Sequence, residues 1–239
     1  MEYELSFLIA RRVFNAINCT MLLSGALSIF KRDILISAGG FRVRTVGEDM
    51  EVVVRLQRLI ARGVKGRKRS AIYRISYTPN AVCYTSVPSS PNALFRQRIR
   101  WHMGLLEVMW IHRRMLFNPK YLRCGMIAMP YLLINELLSP LTTLFGVLII
   151  KILYKFEVIS LLGILIPFLA TLIFYEVLAL ITYRLHTKHF KKKERIGGVL
   201  ISLALGLISI FLYRPWLNIA KLKAMFGYRK YKGKWLRSR

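Results

Sequence analysis

FRQRIRWHMG, residues 95–104, decides how this chain is read. Gln97, Arg98, Arg100 and Trp101 fall on a stretch whose apolar groups recur every three or four positions, as on a helix. Such a stretch fits a basic helix face resting on lipid headgroups, a nucleic-acid patch, or part of an active site. The rest of the chain discriminates among the three.

Of the 239 residues 55% are hydrophobic, yet the net charge is +27. The two properties are segregated. Residues 1–123 carry 21 Lys and Arg against 7 acids, residues 124–183 carry 2 against 3, and residues 184–239 carry 15 against 1. Charge is kept out of one long stretch and concentrated on both sides of it, the pattern of a membrane protein with basic cytoplasmic flanks. A nucleic-acid binder carries its basic residues without such a block, so no nucleic-acid partner is expected. Cys19, Cys83 and Cys124 are odd in number and lack metal-ligand spacing. They build no disulfide framework, which assigns the bulk of the chain to the cytosol. His186 and His189 stand in a Lys-rich loop and read as solvated. The start, MEYELSFLIARRVF, puts acids before its arginines and has only a short apolar run, unlike a signal peptide.

Working outward from the opening stretch, the spacing predicts a helix from about 91 to 114. Residues 3–18 read as an amphipathic helix. Residues 22–32 read as a buried strand or a turn into one, and 32–40 as a short helix stopped by Gly39-Gly40. Apolar groups at 52, 53, 56, 59 and 60 predict a helix over 48–61, with Thr45 and Glu48 spaced as a capping box. SAIYRISYTPNAVCYTSVP, residues 70–88, reads as two short strands broken at Pro79-Asn80. This mixture is α/β. Apolar blocks follow at about 124–150, 158–183 and 196–213, each long enough, or nearly so, to cross a bilayer core. Pro130, Glu136 and Pro140 interrupt the first, which favours one that begins in the interface and bends. The loop 184–195 and the flank Arg113, Arg114, Lys120, Arg123 are expected to be cytoplasmic, whereas the basic tail conflicts with three full crossings.

Three motifs can carry chemistry. In TVGEDMEVVVRLQR, residues 45–58, Glu48, Asp49 and Glu51 sit at a helix start, where acids complement the dipole whether or not they do anything else. Ser24, Gly25 and Ala26 remove side-chain bulk at one point, as a tight turn or a packing contact also would. QRIRW, residues 97–101, offers an amide, two guanidiniums and an indole. Guanidiniums suit phosphate, and an indole face suits a sugar ring; a headgroup-facing helix with an interfacial Trp is the plainer reading.

The order of the three, a small-residue turn, then E-D at a helix start, then Q-x-x-R-W before apolar helices, resembles the membrane-integrated family 2 glycosyltransferases, such as cellulose, hyaluronan and poly-N-acetylglucosamine synthases. The resemblance extends over nearly the whole chain, through EYELSFLIARR, SGALSIFKRDILISAGGF, TVGEDMEVVVRL, LFRQRIRWHMGL and MPYLLINELLSPL. It implies that Asp49 is the general base that deprotonates the acceptor hydroxyl. Gln97 and Arg100 would hold the nucleotide diphosphate, Arg98 would add positive charge to the substrate site, and Trp101 would support the acceptor sugar. Ser24, Gly25 and Ala26 would line the acceptor site, with Glu48 beside it.

The same resemblance implies part of a GT-A-type α/β domain over 1–90, an interfacial helix region over 91–123, transmembrane and interfacial helices over 124–217 and a basic tail over 218–239. The family also uses an aspartate near the uridine and a D-x-D that holds Mg2+ or Mn2+, but the chain has only Asp33 and Asp49. It is therefore expected to be the carboxy-terminal part of the enzyme, without the metal ligands and inactive alone. The expected activity of the whole is inverting transfer from a nucleotide sugar, a UDP-sugar, to a carbohydrate or lipid-linked acceptor. It would act at the cytoplasmic face of the inner or plasma membrane, in contact with membrane lipids. The alternative is a non-catalytic membrane subunit or degenerate remnant that pairs with a separate chain carrying the nucleotide-binding half.

Overall fold

A computed structural model describes residues 10–23, 25–66, 73–78, 80–81, 83–189 and 196–237. In chain order its main helices are α1 (Arg11–Ala16), α2 (Arg32–Ser37), α3 (Glu48–Gly66), α4 (Pro91–Ile111), α5 (Ser139–Lys155), α6 (Leu161–His189), α7 (Ile196–Ile208), α8 (Arg214–Phe226) and α9 (Tyr228–Arg237). No strand or sheet occurs among the described residues. The expected α/β class, and with it the GT-A-type domain, is corrected on this point. Residues 73–78 and 83–88, read as strands from their alternation, are irregular, with Tyr73, Tyr84 and Val87 exposed. Alternation marks a pleat, but a strand also needs a neighbour whose amides and carbonyls complete the ladder. Here the partner is instead the distant Asn15 of α1: its Oδ1 accepts from the Tyr77 amide at 2.9 Å, and its carbonyl accepts from Arg74 at 2.9 Å. Residues 22–23 and 25–31 are likewise irregular, with Leu22, Leu27 and Ile29 exposed.

The chain divides into two units, Met1–Ala10 with Ser139–Ile219, and Arg11–Leu138 with Ala220–Arg239. In the second, α2 stops as expected at Gly39 and Gly40, whose φ angles of 88° and 67° suit a residue without Cβ. α4 begins at Ser90, whose hydroxyl accepts from the Ala93 amide at 3.2 Å, with Pro91 in the first turn. The helix α3 starts at Glu48, with Gly47 rather than Thr45 as its cap: the Gly47 carbonyl accepts from the Glu51 amide, and the Thr45 hydroxyl donates to the Arg42 carbonyl.

The main core of this unit joins Cys19, Met21, Val54, Val108, Met109, Met115, Cys124, Ala128 and Met129. Each of the valine and methionine side chains contributes about 1.5–3 kcal/mol when fully buried. A second cluster sets Ala220 and Ala224 of α8 against Val46, Ile99 and Met103, with Phe95, Tyr228 and Tyr231 packed around them. The basic tail is thus helical and docks on α4, through positions 220, 224 and 228, one stripe of a helix.

In the other unit α6 and α7 lie side by side. Gly198 admits the Tyr183 ring and Gly206 admits the Glu176 carboxylate, places where any Cβ would collide. Leu162, Ile166, Ile173, Phe174, Leu200, Ile201 and Leu212 point outward and are exposed. Residues Leu161–Lys188 and Gly197–Phe226 are long and apolar enough to cross a membrane, and Cys124–Leu137 with Ser139–Lys155 add a third crossing only if taken as one broken span. That break matches the bent first block expected from its prolines.

Candidate functional site

The site is built where α3 begins against the middle of α4. Gly47, the cap of α3, meets Gly104 of α4: a Cβ on either would stand 2.9 Å from the Cα of the other. Only a pair of glycines permits two backbones to approach this closely. A polar clamp lies one turn further along α4. Glu107 Oε2 accepts from the Val46 amide at 2.7 Å, and its Oε1 is 2.6 Å from both the Tyr228 hydroxyl and Lys232 Nζ of α9. Glu107 is buried, so its charge is matched inside the fold by an ammonium, a hydroxyl and an amide.

This crossing places the expected residues. Asp49 lies in the first turn of α3, half-buried, with Oδ1 accepting from the Met50 amide at 2.8 Å. Its Oδ2 faces Gly25: a Cβ there would be 3.2 Å from that oxygen. The structure therefore brings Gly25 and Asp49 together, with Ala26 next in the same turn; Ser24 lies outside the described residues. Arg11 is near enough to feel the Asp49 charge. Burial pushes its guanidinium below the ordinary arginine value, against the opposing influence of Tyr77 and then Asp49.

On α4, Gln97, Arg100, Trp101 and Gly104 are spaced three or four residues apart and share a side. Gln97 and Arg100 are half-buried, Arg98 is buried, and Trp101 is 43% exposed. The Arg98 guanidinium lies over the Trp101 ring, 4.5 Å from its centre. Asp49 and the Q-x-x-R-W side chains thus each lie within two turns of the same crossing. Glu48 is half-buried at the start of α3.

Glu51, one turn on from Gly47, is fully buried, with Arg55 at 3.0 Å, His112 Nε2 at 3.1 Å and Arg42 at 3.3 Å. Burial would raise its carboxyl, but the His112 hydrogen bond, Arg55 and Arg42 outweigh it and hold the group below its usual value. Arg55 also donates to the Ala38 and Gly40 carbonyls, tying the glycine turn after α2 to α3. His102, buried on α4, is pushed down to about 4, first by burial and then by Lys221.

Among the described residues no three His, Cys, Asp or Glu side chains group as a metal site. Glu51 is engaged by Arg42, Arg55 and His112, and Glu107 by Lys232 and Tyr228. A hard divalent cation needs several oxygens at once, so the described residues do not fit the Mg2+ or Mn2+ of the resemblance. Sequence reasoning missed Glu107, Glu51–His112 and the glycine crossing. Gly47 and Gly104 sit inside two of the quoted motifs, but nothing in one dimension pairs them.

The family model for glycosyl transferase family group 2 matches residues 1–183, and the chain belongs to that family. Over 87 residues it is 31% identical to the poly-beta-1,6-N-acetyl-D-glucosamine synthase of Staphylococcus aureus strain COL, covering 36% of this chain and 18% of the relative. The protein of that name from Staphylococcus epidermidis is 30% identical over 87 residues, with the same coverage. The chain thus spans about a fifth of the length of these curated relatives. No solved structure matches it.

Proposed function

We propose that the chain serves inverting transfer of a sugar from a UDP-sugar to a carbohydrate or lipid-linked acceptor at the cytoplasmic face of the membrane. Asp49 accepts the proton of the acceptor hydroxyl as its oxygen bonds to the anomeric carbon. The bond from that carbon to the diphosphate breaks, and the diphosphate leaves with the electron pair. Gln97, Arg98 and Arg100 meet the negative charge that develops there. Trp101 offers the acceptor sugar an indole face, with Arg98 stacked on the ring. Ser24, Gly25 and Ala26 line the acceptor side, and Glu48 stands beside them.

The observation that carries this reading is the approach of Gly25 to Asp49 Oδ2, a carboxylate facing a turn stripped of side chains. The packing of Ala220, Ala224, Tyr228 and Tyr231 against Phe95, Ile99 and Met103 of α4 also supports putting the tail on the same side of the membrane as that helix. The tail and the Q-x-x-R-W helix then share the cytoplasmic face. The name of the staphylococcal relatives makes UDP-N-acetylglucosamine the first donor to try. Membranes holding the chain together with the nucleotide-binding half of the enzyme should incorporate labelled sugar from it above membranes lacking the chain, and Gln97→Ala or Arg100→Ala should remove the difference. No incorporation from UDP-N-acetylglucosamine or UDP-glucose, or full incorporation by both variants, contradicts the proposal.

A further inference from the structure

The far end of α3 and the end of α4 form a second basic place that the transfer chemistry does not use. Two surface hollows of about 240 and 560 Å3 share Arg62, Arg114 and Tyr121 in their walls. Arg58, Ile111 and Arg113 complete the first, and Asn118 and Lys120 the second. Five cationic side chains thus converge, and among the described residues no carboxylate lines either hollow. Tyr121 is buried; its hydroxyl accepts from Arg62 at 3.3 Å, and the same guanidinium lies 5.9 Å from the ring centre. Like charges gathered this way repel one another unless an anion joins them.

The loop that carries the wall is built rather than slack. Gly125 lies under it so closely that a Cβ there would be 2.4 Å from the Asn118 carbonyl oxygen and 2.7 Å from that of Met115. Its carbonyl accepts from the Phe117 amide at 3.1 Å. Phe117 and Leu122 hold positive φ angles of 51° and 54°, strained for side chains of that size. Both are exposed, as is Trp110, whose indole carries Arg113 at 4.4 Å from the ring centre. An aqueous anion gives no reason to display Trp110, Phe117 and Leu122 beside a cationic hollow. A bilayer interface does, because it takes apolar and aromatic groups into its acyl edge and offers phosphate at the headgroup level. The apolar segment that begins at Cys124 follows directly.

We propose that the hollow walled by Arg58, Arg62, Arg113, Arg114 and Lys120 binds the phosphate of an anionic phospholipid headgroup, with Trp110, Phe117 and Leu122 set into the bilayer beside it. The chemistry recognised is a phosphodiester bearing one negative charge, gripped by guanidinium forks. This site is separate from the Asp49 crossing and does not depend on the transfer activity.

The test uses the full chain in nanodiscs of phosphatidylcholine containing graded amounts of brominated phosphatidylglycerol, read by quenching of tryptophan fluorescence. Half-maximal quenching should need several-fold less brominated phosphatidylglycerol than brominated phosphatidylcholine, and Trp110→Phe should remove most of the difference. Arg58→Gln with Arg114→Gln should shift the midpoint by about five-fold for each arginine removed, and the Arg→Lys pair at the same positions by less. Lys120→Gln, a change at an exposed side chain, should give a smaller shift in the same direction should the double variant fail to fold. Inorganic phosphate at millimolar concentration should leave the quenching unchanged. Equal quenching by the two lipids, or an unshifted midpoint in the folded variants, overturns the proposal. Full displacement by inorganic phosphate overturns the lipid assignment in favour of a free-anion site.

Discussion

Gly47 and Gly104 touch backbone to backbone, and through that one contact the cap of α3 is fixed to the middle of α4. Two motifs separated by some fifty residues are held together by the absence of two side chains. Gly104→Ala should therefore destabilise the protein by about 1–3 kcal/mol, the usual range for an inserted methyl group in a packed place. Gly146→Ala, in α5 where nothing lies within 4 Å, should be neutral or stabilising by up to about 1 kcal/mol. Thermal unfolding in detergent compares the two; equal midpoints for both variants contradict the crossing.

Glu107 gives that contact a dependence on alkaline pH. Lys232 is held above the ordinary lysine value, first by its hydrogen bond to Glu107. Tyr228 is held above the ordinary tyrosine value by burial and then by Glu107. Both groups bind their protons more tightly when folded. The stability they contribute is complete below their unfolded values, about 10 for tyrosine and about 10.4 for lysine, and is lost as pH rises through the higher folded ones. Glu107→Gln should lower stability at neutral pH by about 1–3 kcal/mol and flatten the decline above about pH 10. Parallel stability curves for wild type and variant contradict the role given to Glu107.

Trp101 separates a sugar platform from a membrane anchor. As a platform it should tolerate Phe, which keeps a flat ring, and not Ala. Sugar transfer measured in detergent should fall far more for Trp101→Ala than for Trp101→Phe. Equal transfer by wild type and both variants, with altered membrane association, assigns Trp101 to anchoring instead.

The side of the membrane can be read at Lys188, which is exposed, whereas neighbouring Thr187 is buried with its hydroxyl bonded to the Arg184 carbonyl. With Cys83 changed to Ser, leaving only buried cysteines, a Lys188→Cys protein should resist a membrane-impermeant thiol reagent in intact cells and react after permeabilisation. Labelling in intact cells places the end of α6 outside and contradicts a cytoplasmic transfer site.

What was legible in the sequence was local. Ser90 and Pro91 announce the start of α4, Gly39 and Gly40 stop α2, and Pro130 and Pro140 foretell a broken first apolar block. Residues 70–88 were misleading because alternation reports only one strand of a pair, and ladder partners lie elsewhere in a chain. The tail at 218–239 reads in the sequence only as basic. Its lysines and arginines hide the stripe of Ala220, Ala224 and Tyr228 that meets α4. In the candidate site, the approach of Gly25 to Asp49 and the glycine crossing that positions α4 are both long-range facts that no single motif contains. Glu107 stands in the sequence as a single acid on a largely apolar helix, and only the fold supplies its three partners.

The central claim is that the carboxylate facing Gly25 is the base of the transfer. Asp49→Asn keeps the shape and the acceptor for the Met50 amide but removes the charge that takes the proton. The decisive measurement pairs two quantities in the same membrane preparation, sugar transferred per minute and UDP bound. The account predicts that Asp49→Asn transfers about 10²–10⁴-fold less sugar, the usual loss for a missing general base, with UDP binding unchanged. Transfer within a few-fold of wild type, or a loss of transfer matched by loss of UDP binding, contradicts it.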